Sequence, residues 1–130
     1  MKIEKFEDLE IWQEARELCK TVFEITEKEP FKKDYKFRDQ IRAASGSIMD
    51  NMAEGFDRGG NKEFSQFLSI AKGSCGETRS QSYRAFDFQY INEEINEEIN
   101  RRTLQLSKRI SSLMEYLKQS DFKGSKFYKP

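Results

Sequence analysis

The residue types that could support catalysis in this chain are one cysteine and two glutamates within segments that read as helices. Cys75 lies in the run Gly-Ser-Cys-Gly-Glu, which ends at Glu77, and Glu54 lies on the preceding helical segment. A nucleophilic thiol needs a neighbouring base, and the 130 residues include no histidine to supply one. A di-metal site of the helical-bundle type needs a Glu-x-x-His motif, which is therefore missing. The sequence predicts that the protein is not an enzyme and holds no metal or cofactor.

Polar side chains at helical spacing form the second candidate, one row on each arm of a predicted helical hairpin. The row residues that we single out are Gln40, Ser47, Asn51, Glu54, Ser74 and Glu77. Such rows could line a binding groove. They could instead hydrogen bond to each other and set the register of the two helices, because buried polar groups need partners. The sequence favours the second interpretation, a structural polar seam.

Basic residues form the third candidate, towards the end of the chain. The set consists of Arg101, Arg102, Lys108, Arg109, Lys118 and Lys123. Cations mixed with the aromatic residues of the C-terminal tail suit phosphate contact and base stacking, so nucleic-acid binding is one hypothesis. The alternative is that these cations face the acidic start of the first helix, where Glu7 and Glu10 lie.

Surplus apolar residues form the fourth candidate. The apolar positions of the first helix cover an arc of about 160°, wider than the ~100° stripe of an ordinary surface helix. Trp12 and Phe23 lie at its edge, and Ile70 and Phe88 form an outlying row on the third helix. We predict that these four residues contribute to an interface between copies of the chain. A splayed bundle that covers them internally is the alternative.

Composition narrows the class of protein. Lys plus Arg and Asp plus Glu number 23 each, so a net charge of zero gives no overall attraction to nucleic acid or membrane. The two cysteines form no CxxC pair, and no apolar run approaches the ~20 residues that span a bilayer. The start, MKIEKFEDLE, lacks the apolar core of a signal peptide. We expect a cytoplasmic protein that does not enter a membrane.

Hydrophobic periodicity predicts four helices that could position these candidates, over about residues 8–28, 34–56, 61–90 and 92–120. Asp8, Asn61 and Asn92 are the predicted N-caps, while Pro30 and the Gly59–Gly60 pair interrupt the chain. Long helices with short connections predict an all-α fold, an antiparallel up-down-up-down four-helix bundle in a single domain of residues 1–120. Residues 121–130 are expected to form a flexible tail.

Small residues fill residues 40–56 and 67–77, the parts of the second and third helices that a hairpin would bring together. A glycine inside a helix costs roughly 1 kcal/mol relative to alanine, so Gly46, Gly73 and Gly76 would together cost about 3 kcal/mol. We expect a close approach of the two helices at these glycines to offset that cost.

Three segments of the chain, at residues 6–12, 42–55 and 67–77, carry a family signature. In chain order it reads F-x-D-L-x-x-W, R-A-A-x-x-S-I-x-x-N-x-A-E-G and F-L-x-I-A-x-G-S-x-x-E. The matching residues are Phe6, Asp8, Leu9, Trp12, Arg42, Ala43, Ala44, Ser47, Ile48, Asn51, Ala53, Glu54, Gly55, Phe67, Leu68, Ile70, Ala71, Gly73, Ser74 and Glu77. The pattern resembles the 23S rRNA intervening-sequence protein family, four-helix-bundle proteins related to the accessory protein of diversity-generating retroelements.

The resemblance implies a bacterial four-helix bundle that assembles as a ring-like homopentamer. The family has no catalytic residues that could be assigned to positions of this chain. The resemblance implies that the retroelement branch binds a reverse transcriptase and nucleic acid through a basic surface. This chain differs from the basic proteins of that branch, because its net charge is zero. Gly46 and Gly76 also stand where the family more often has larger residues. The sequence therefore predicts a non-enzymatic, homo-oligomeric scaffold or adapter. The alternative is an accessory protein that binds RNA or a reverse transcriptase through its basic residues.

Overall fold

Four long helices account for most of residues 3–120, the part of the chain that the computed structural model describes. They are α1 (Glu10–Thr26), α2 (Tyr35–Arg58), α3 (Asn61–Asp87) and α4 (Glu93–Gln119). Short 3-10 turns at Phe6–Asp8 and Phe31–Lys33 precede α1 and α2. No strand occurs within residues 3–120, and the predicted all-α four-helix fold is confirmed. The tail predicted for residues 121–130 lies outside the described residues.

Each helix runs antiparallel to the next, as shown by contacts whose residue numbers rise on one helix while they fall on its neighbour. Between α1 and α2, Cys19 lies opposite Gly46 and Thr26 opposite Arg42; between α2 and α3, Ser47 lies opposite Ser74 and Gly55 opposite Phe67. Between α3 and α4, Ser82 lies opposite Asn96 and Asn61 opposite Leu117. Between α4 and α1, Arg102 lies opposite Thr21 and Arg109 opposite Glu10. The fourth helix thus packs back on the first, and the helices follow the predicted up-down-up-down order.

The core runs along the bundle axis, and every long helix contributes fully buried aliphatic residues to it. Leu18, Ile48, Leu68 and Ile110, one from each helix, are all less than 2% exposed. An aromatic cluster of Phe31, Phe37 and Tyr90 closes one end, with the ring centroids of Phe31 and Tyr90 4.9 Å apart. None of the helices within residues 3–120 combines the length and apolar character needed to cross a bilayer.

Local hydrogen bonds fix where the helices begin, and two of the three predicted N-caps, Asp8 and Asn61, differ from those observed. Asn92 caps α4 as predicted, because its side chain accepts a hydrogen bond from the Ile95 amide (2.8 Å). Gly60, rather than Asn61, is the N-cap of α3. The Asn61 side chain instead donates to the Leu117 carbonyl (3.2 Å), which ties the start of α3 to the end of α4.

The first helix is shorter than predicted at both ends. Leu9 is buried and extended, so α1 begins at Glu10, and Asp8 accepts hydrogen bonds from the amides of Glu4 and Lys5 instead of capping α1. At its other end α1 stops at Thr26. The Thr26 hydroxyl donates to carbonyls of the last turn and accepts from Arg42 Nε (2.8 Å), which joins α1 to α2.

The tight contact between α2 and α3 that the structure shows at a glycine is at Gly55, which is not one of the three singled out from the sequence. A Cβ atom on Gly55 would lie 2.5 Å from the Cβ of Phe67, so only glycine fits there. At Gly73 and Gly76 nothing lies within 4 Å of an added Cβ, and at Gly46 the nearest atom is Cys19 Sγ at 3.9 Å. The expected close approach at those three glycines is therefore wrong within this chain, and their helical cost is not offset by packing inside the protomer.

Candidate functional site

Cys75, the candidate nucleophile, faces the core from the middle of α3. Its side chain is only 1% exposed. Burial raises the pKa of the Cys75 thiol to about 12, and the nearby charge of Arg79 opposes that rise only in part. A thiol with this pKa is protonated at neutral pH, and the protonated form is a poor nucleophile. Burial likewise raises the pKa of Cys19 on α1.

The polar rows on α2 and α3 meet at their centre. Ser74 Oγ donates to Ser47 Oγ across the two helices (2.9 Å), and Asn51 Nδ2 donates to the Ser47 hydroxyl and carbonyl (both 2.8 Å). This network joins three of the six predicted seam residues directly. It gives each of their side chains a partner inside the hairpin and leaves none of them directed at a ligand.

The remaining polar-row residues are arranged more loosely. Gln40 accepts from Arg84 across the hairpin (3.4 Å), and Glu77 accepts from Gln81 on its own helix (3.4 Å). Together with small residues of α2 they line a shallow groove of about 550 Å³. Glu54 does not reach α3, because its carboxylate binds Arg58 one turn further along α2 (2.9 Å). Glu54 and Glu77 form no carboxylate pair, and no cluster of metal-ligating side chains occurs within residues 3–120.

The structure divides the predicted basic residues between two sides of α4. Arg102 and Arg109 face α1, where Arg102 donates to Thr21 (3.0 Å) and to Glu98 on its own helix (3.1 Å). Arg109 donates to Glu10 (2.9 Å) and also to Glu14. Arg109 therefore holds α4 against the acidic start of α1, the alternative that the sequence left open, while Arg102 joins α4 to the second half of α1.

Arg101, Lys108 and Lys118 are exposed on α4, and none of them forms an ion pair with another of residues 3–120. Lys118 contributes to a groove of about 770 Å³ between α3 and α4, which we call the lysine groove. It is lined by Asn61, Lys62, Ser65, Gln66, Ser69, Lys72, Ser111, Met114, Glu115, Leu117 and Lys118. Lys123, the sixth predicted basic residue, lies outside the described residues.

Sequence reasoning missed the α3 side of this groove. Lys62, Ser65, Ser69 and Lys72 follow one another at helical spacings of 3, 4 and 3 residues, so the row on α3 was present in the sequence. Its meeting with Lys118 depends on the packing of α4 beside α3, which no local pattern encodes. Lys62, Lys72 and Lys118 have no ion-pair partner within residues 3–120.

The predicted apolar interface residues separate into one buried and three exposed side chains. Trp12 is 9% exposed and packs edge-on against Phe6 at a centroid distance of 5.2 Å, which leaves little of it for a partner. Phe23, Ile70 and Phe88 are 52%, 53% and 51% exposed. Arg42 covers one face of Phe23, whereas Ile70 has no such cover. Tyr35, Tyr83 and Leu104 are also exposed and were not foreseen.

Comparisons with known proteins agree on the fold and on a family. A family model described as 23S rRNA-intervening sequence protein matches residues 7–112. A crystal structure of a protein with unknown function from the S23 ribosomal protein family of Bacteroides thetaiotaomicron VPI-5482 is similar, with a TM-score of 0.73 at 21% sequence identity. The alignment covers 81% of this chain and 98% of that one. A search of curated proteins finds no match.

Proposed function

The chain belongs to the 23S rRNA-intervening sequence protein family, and from this premise we propose that it is a cytoplasmic, non-enzymatic scaffold or adapter that assembles with copies of itself. Five copies in a ring is the assembly that the family resemblance favours. The observation that carries the proposal is Ile70, a β-branched apolar side chain left 53% exposed on the outside of the bundle.

Two further features support self-assembly over a monomeric role. Phe23 and Phe88 are also half exposed, so three large apolar side chains are left outside the core, and an interface between copies would remove their surface from water. Gly73, one turn from Ile70, is an exposed glycine inside a helix with nothing within 4 Å of an added Cβ. Its helical cost would be offset if another copy approached the backbone there.

The absence of a catalytic role is part of the proposal, and the state of Cys75 supports it. Its thiol is buried and protonated at neutral pH, because burial raises its pKa to about 12. Ser47, Asn51 and Ser74 use their polar groups on each other. The most reactive residue types of the α2–α3 hairpin are thus engaged in packing and hydrogen bonding.

The Ile70→Gln variant tests the proposal, because glutamine keeps helical propensity and removes apolar area. Losing the burial of one aliphatic side chain should weaken association about tenfold or more. Static light scattering over a dilution series measures this shift. Tyr35→Gln is the matched control, since it removes an exposed aromatic ring near the start of α2 and should leave the mass unchanged. Equal masses for both variants at every concentration would contradict an interface at Ile70.

Nucleic-acid binding is the second candidate, and the lysine groove is the observation that favours it. Lys62, Lys72 and Lys118, which have no ion-pair partner within residues 3–120, lie beside the hydroxyls of Ser65 and Ser69, which suits a phosphate backbone or a complex of RNA with a reverse transcriptase. RNA titrations at several salt concentrations test it. Binding that strengthens steeply as salt is lowered supports this candidate, and no binding at the lowest salt removes it.

A further inference from the structure

An acidic ridge runs along the outer side of α2. It consists of Ala43, Ser47, Asp50, Glu54 and Asp57, whose spacings of 4, 3, 4 and 3 residues place them on one stripe of the helix. The stripe has small residues at one end, acidic residues at the other, and no cation. Glu54 binds Arg58, whereas Asp50 and Asp57 form no ion pair with any of residues 3–120.

The exposed Ile70 lies beside this ridge. Ser47 is hydrogen bonded to Ser74, and Gly55 packs on Phe67, so the antiparallel register places Ile70 level with the segment between Ser47 and Gly55. The ridge therefore combines unpaired carboxylates with one large apolar side chain. A combination of this kind suits a partner surface that is basic at its rim and apolar at its floor.

The lysine groove has that composition apart from Glu115, whose carboxylate accepts a hydrogen bond from Gln119. Lys62 and Lys72 on α3 and Lys118 on α4 form its rim, while Met114 and Leu117 contribute apolar atoms to its lining. The side chains of Ser65, Ser69 and Ser111 are short, which opens the groove to about 770 Å³. On a helix that rises 1.5 Å per residue, Lys62 and Lys72 are about 15 Å apart, and Asp50 and Asp57 about 10 Å apart. The row of carboxylates thus fits within the row of lysines.

We infer that neighbouring copies of the chain join by seating the acidic ridge of α2, with Ile70, in the lysine groove of the next copy. This inference rests on the proposed self-assembly and names the two surfaces that make it. Opposite charges face each other, and Ile70, which lies beside the ridge on α3, meets the apolar floor of the groove.

The placement of the two surfaces determines the kind of assembly. They are different parts of the protomer, so the contact is head-to-tail, and an open chain of copies keeps one free ridge at one end and one free groove at the other until the ring closes. The ridge lies on α2 and the groove between α3 and α4, which are neighbouring and not opposite sides of the bundle. Each copy therefore turns relative to the last, as a closed ring requires, whereas opposite sides would produce a straight filament.

A second copy fits the groove better than nucleic acid does. A phosphate backbone would engage Lys62, Lys72 and Lys118 but would leave Met114 and Leu117 without an apolar partner. The ridge provides both kinds of contact. Nucleic acid in the groove is accordingly an outcome that the experiment distinguishes.

Charge reversal tests the pairing. One variant carries Asp50→Lys and Asp57→Lys, a second carries Lys62→Glu and Lys72→Glu, and a third carries all four changes. Each double variant places like charges opposite each other, so we expect the dissociation constant of the assembly to rise about a hundredfold. The fourfold variant restores opposite charges with their positions exchanged and should recover wild-type association. Light scattering over a dilution series at low and high salt gives the constants.

A matched control carries Glu24→Lys and Asp87→Lys, which change the net charge as much as the ridge variant does but lie off the ridge and the groove. It should assemble as the wild type does, and circular dichroism confirms helicity for every variant. Wild-type constants for either double variant, or no recovery in the fourfold variant, would overturn the ridge–groove pairing while self-assembly stands. A monomeric wild type would remove the proposed function as well. Loss of RNA binding by the groove variant with its assembly intact would assign the groove to nucleic acid.

Discussion

Burial controls the chemistry of single side chains in this protein, and Cys75 shows it most clearly. The thiol lies in the core beside Gly76 and has no base within reach, since the chain contains no histidine. Its pKa of about 12 reflects the loss of solvent around the thiolate. The residue behaves as a small apolar side chain, as buried free cysteines generally do.

The raised pKa of Cys75 predicts a loss of stability at high pH. The folded protein holds the thiol proton up to pH about 12, whereas an unperturbed thiol titrates near 9.0. The contribution of the Cys75 thiol to the free energy of unfolding is therefore complete below pH about 9 and is lost as the pH rises from about 9 towards 12. At pH 10 the loss is about 1 kcal/mol in the free energy of unfolding.

Urea unfolding of the wild type and of Cys75→Ala at pH 7 and at pH 10 measures this loss. The difference in stability between the two proteins should shrink at pH 10 by about that 1 kcal/mol. Cys19→Ala is the comparison, because its thiol is partly exposed and should change the pH dependence less. An unchanged difference between wild type and Cys75→Ala at the two pH values would contradict the burial of Cys75 in solution.

The α2–α3 hairpin is the element that most depends on small residues. Gly55 lets the backbone of α2 approach Phe67, and the Ser47–Ser74 hydrogen bond lies two turns further along. A side chain at position 55 would force the helices apart, while one at position 73 would meet open space. Glycines with similar sequence surroundings therefore have opposite roles in the same hairpin.

This contrast predicts opposite signs for two alanine substitutions. Gly55→Ala should lower the free energy of unfolding by about 1–3 kcal/mol, because the new methyl group overlaps Phe67. Gly73→Ala should raise it by up to about 1 kcal/mol in the monomer, because alanine favours the helix and displaces nothing within the protomer. Urea unfolding measures both, at a protein concentration where light scattering shows that the parent and both variants are monomeric. Equal effects of the two substitutions would contradict the close approach at Gly55.

The sequence predicted the elements better than their ends. Helical periodicity placed all four helices, because each of them has apolar residues at helical spacing along the side that faces the core. The Asn92 cap was readable because it depends only on the next three residues. The Asp8 cap was not, since the burial of Leu9 delays the start of α1, and the side chain of Asn61 is held by α4, 56 residues away. Features that depend on distant packing were the ones that sequence reasoning missed.

At the scale of the whole molecule, the bundle closes its core but leaves large apolar and charged side chains exposed outside it. Phe23, Ile70 and Phe88 are half exposed although the helices pack on all four sides. The acidic ridge and the lysine groove lie on neighbouring sides of the bundle, and Asp50, Asp57 and the three groove lysines form no ion pair with any residue that the structure describes. Arg102 and Arg109, by contrast, are occupied inside the protomer. The surfaces left over are those that an assembly of identical copies would use.

The mass of the protein in solution tests the central claim most directly. Light scattering coupled to size-exclusion chromatography should give a single species at five times the chain mass of 15.4 kDa, and that mass should fall as salt weakens the contacts. A stable species of 15.4 kDa at every protein concentration would contradict self-assembly, and the ridge–groove contact with it.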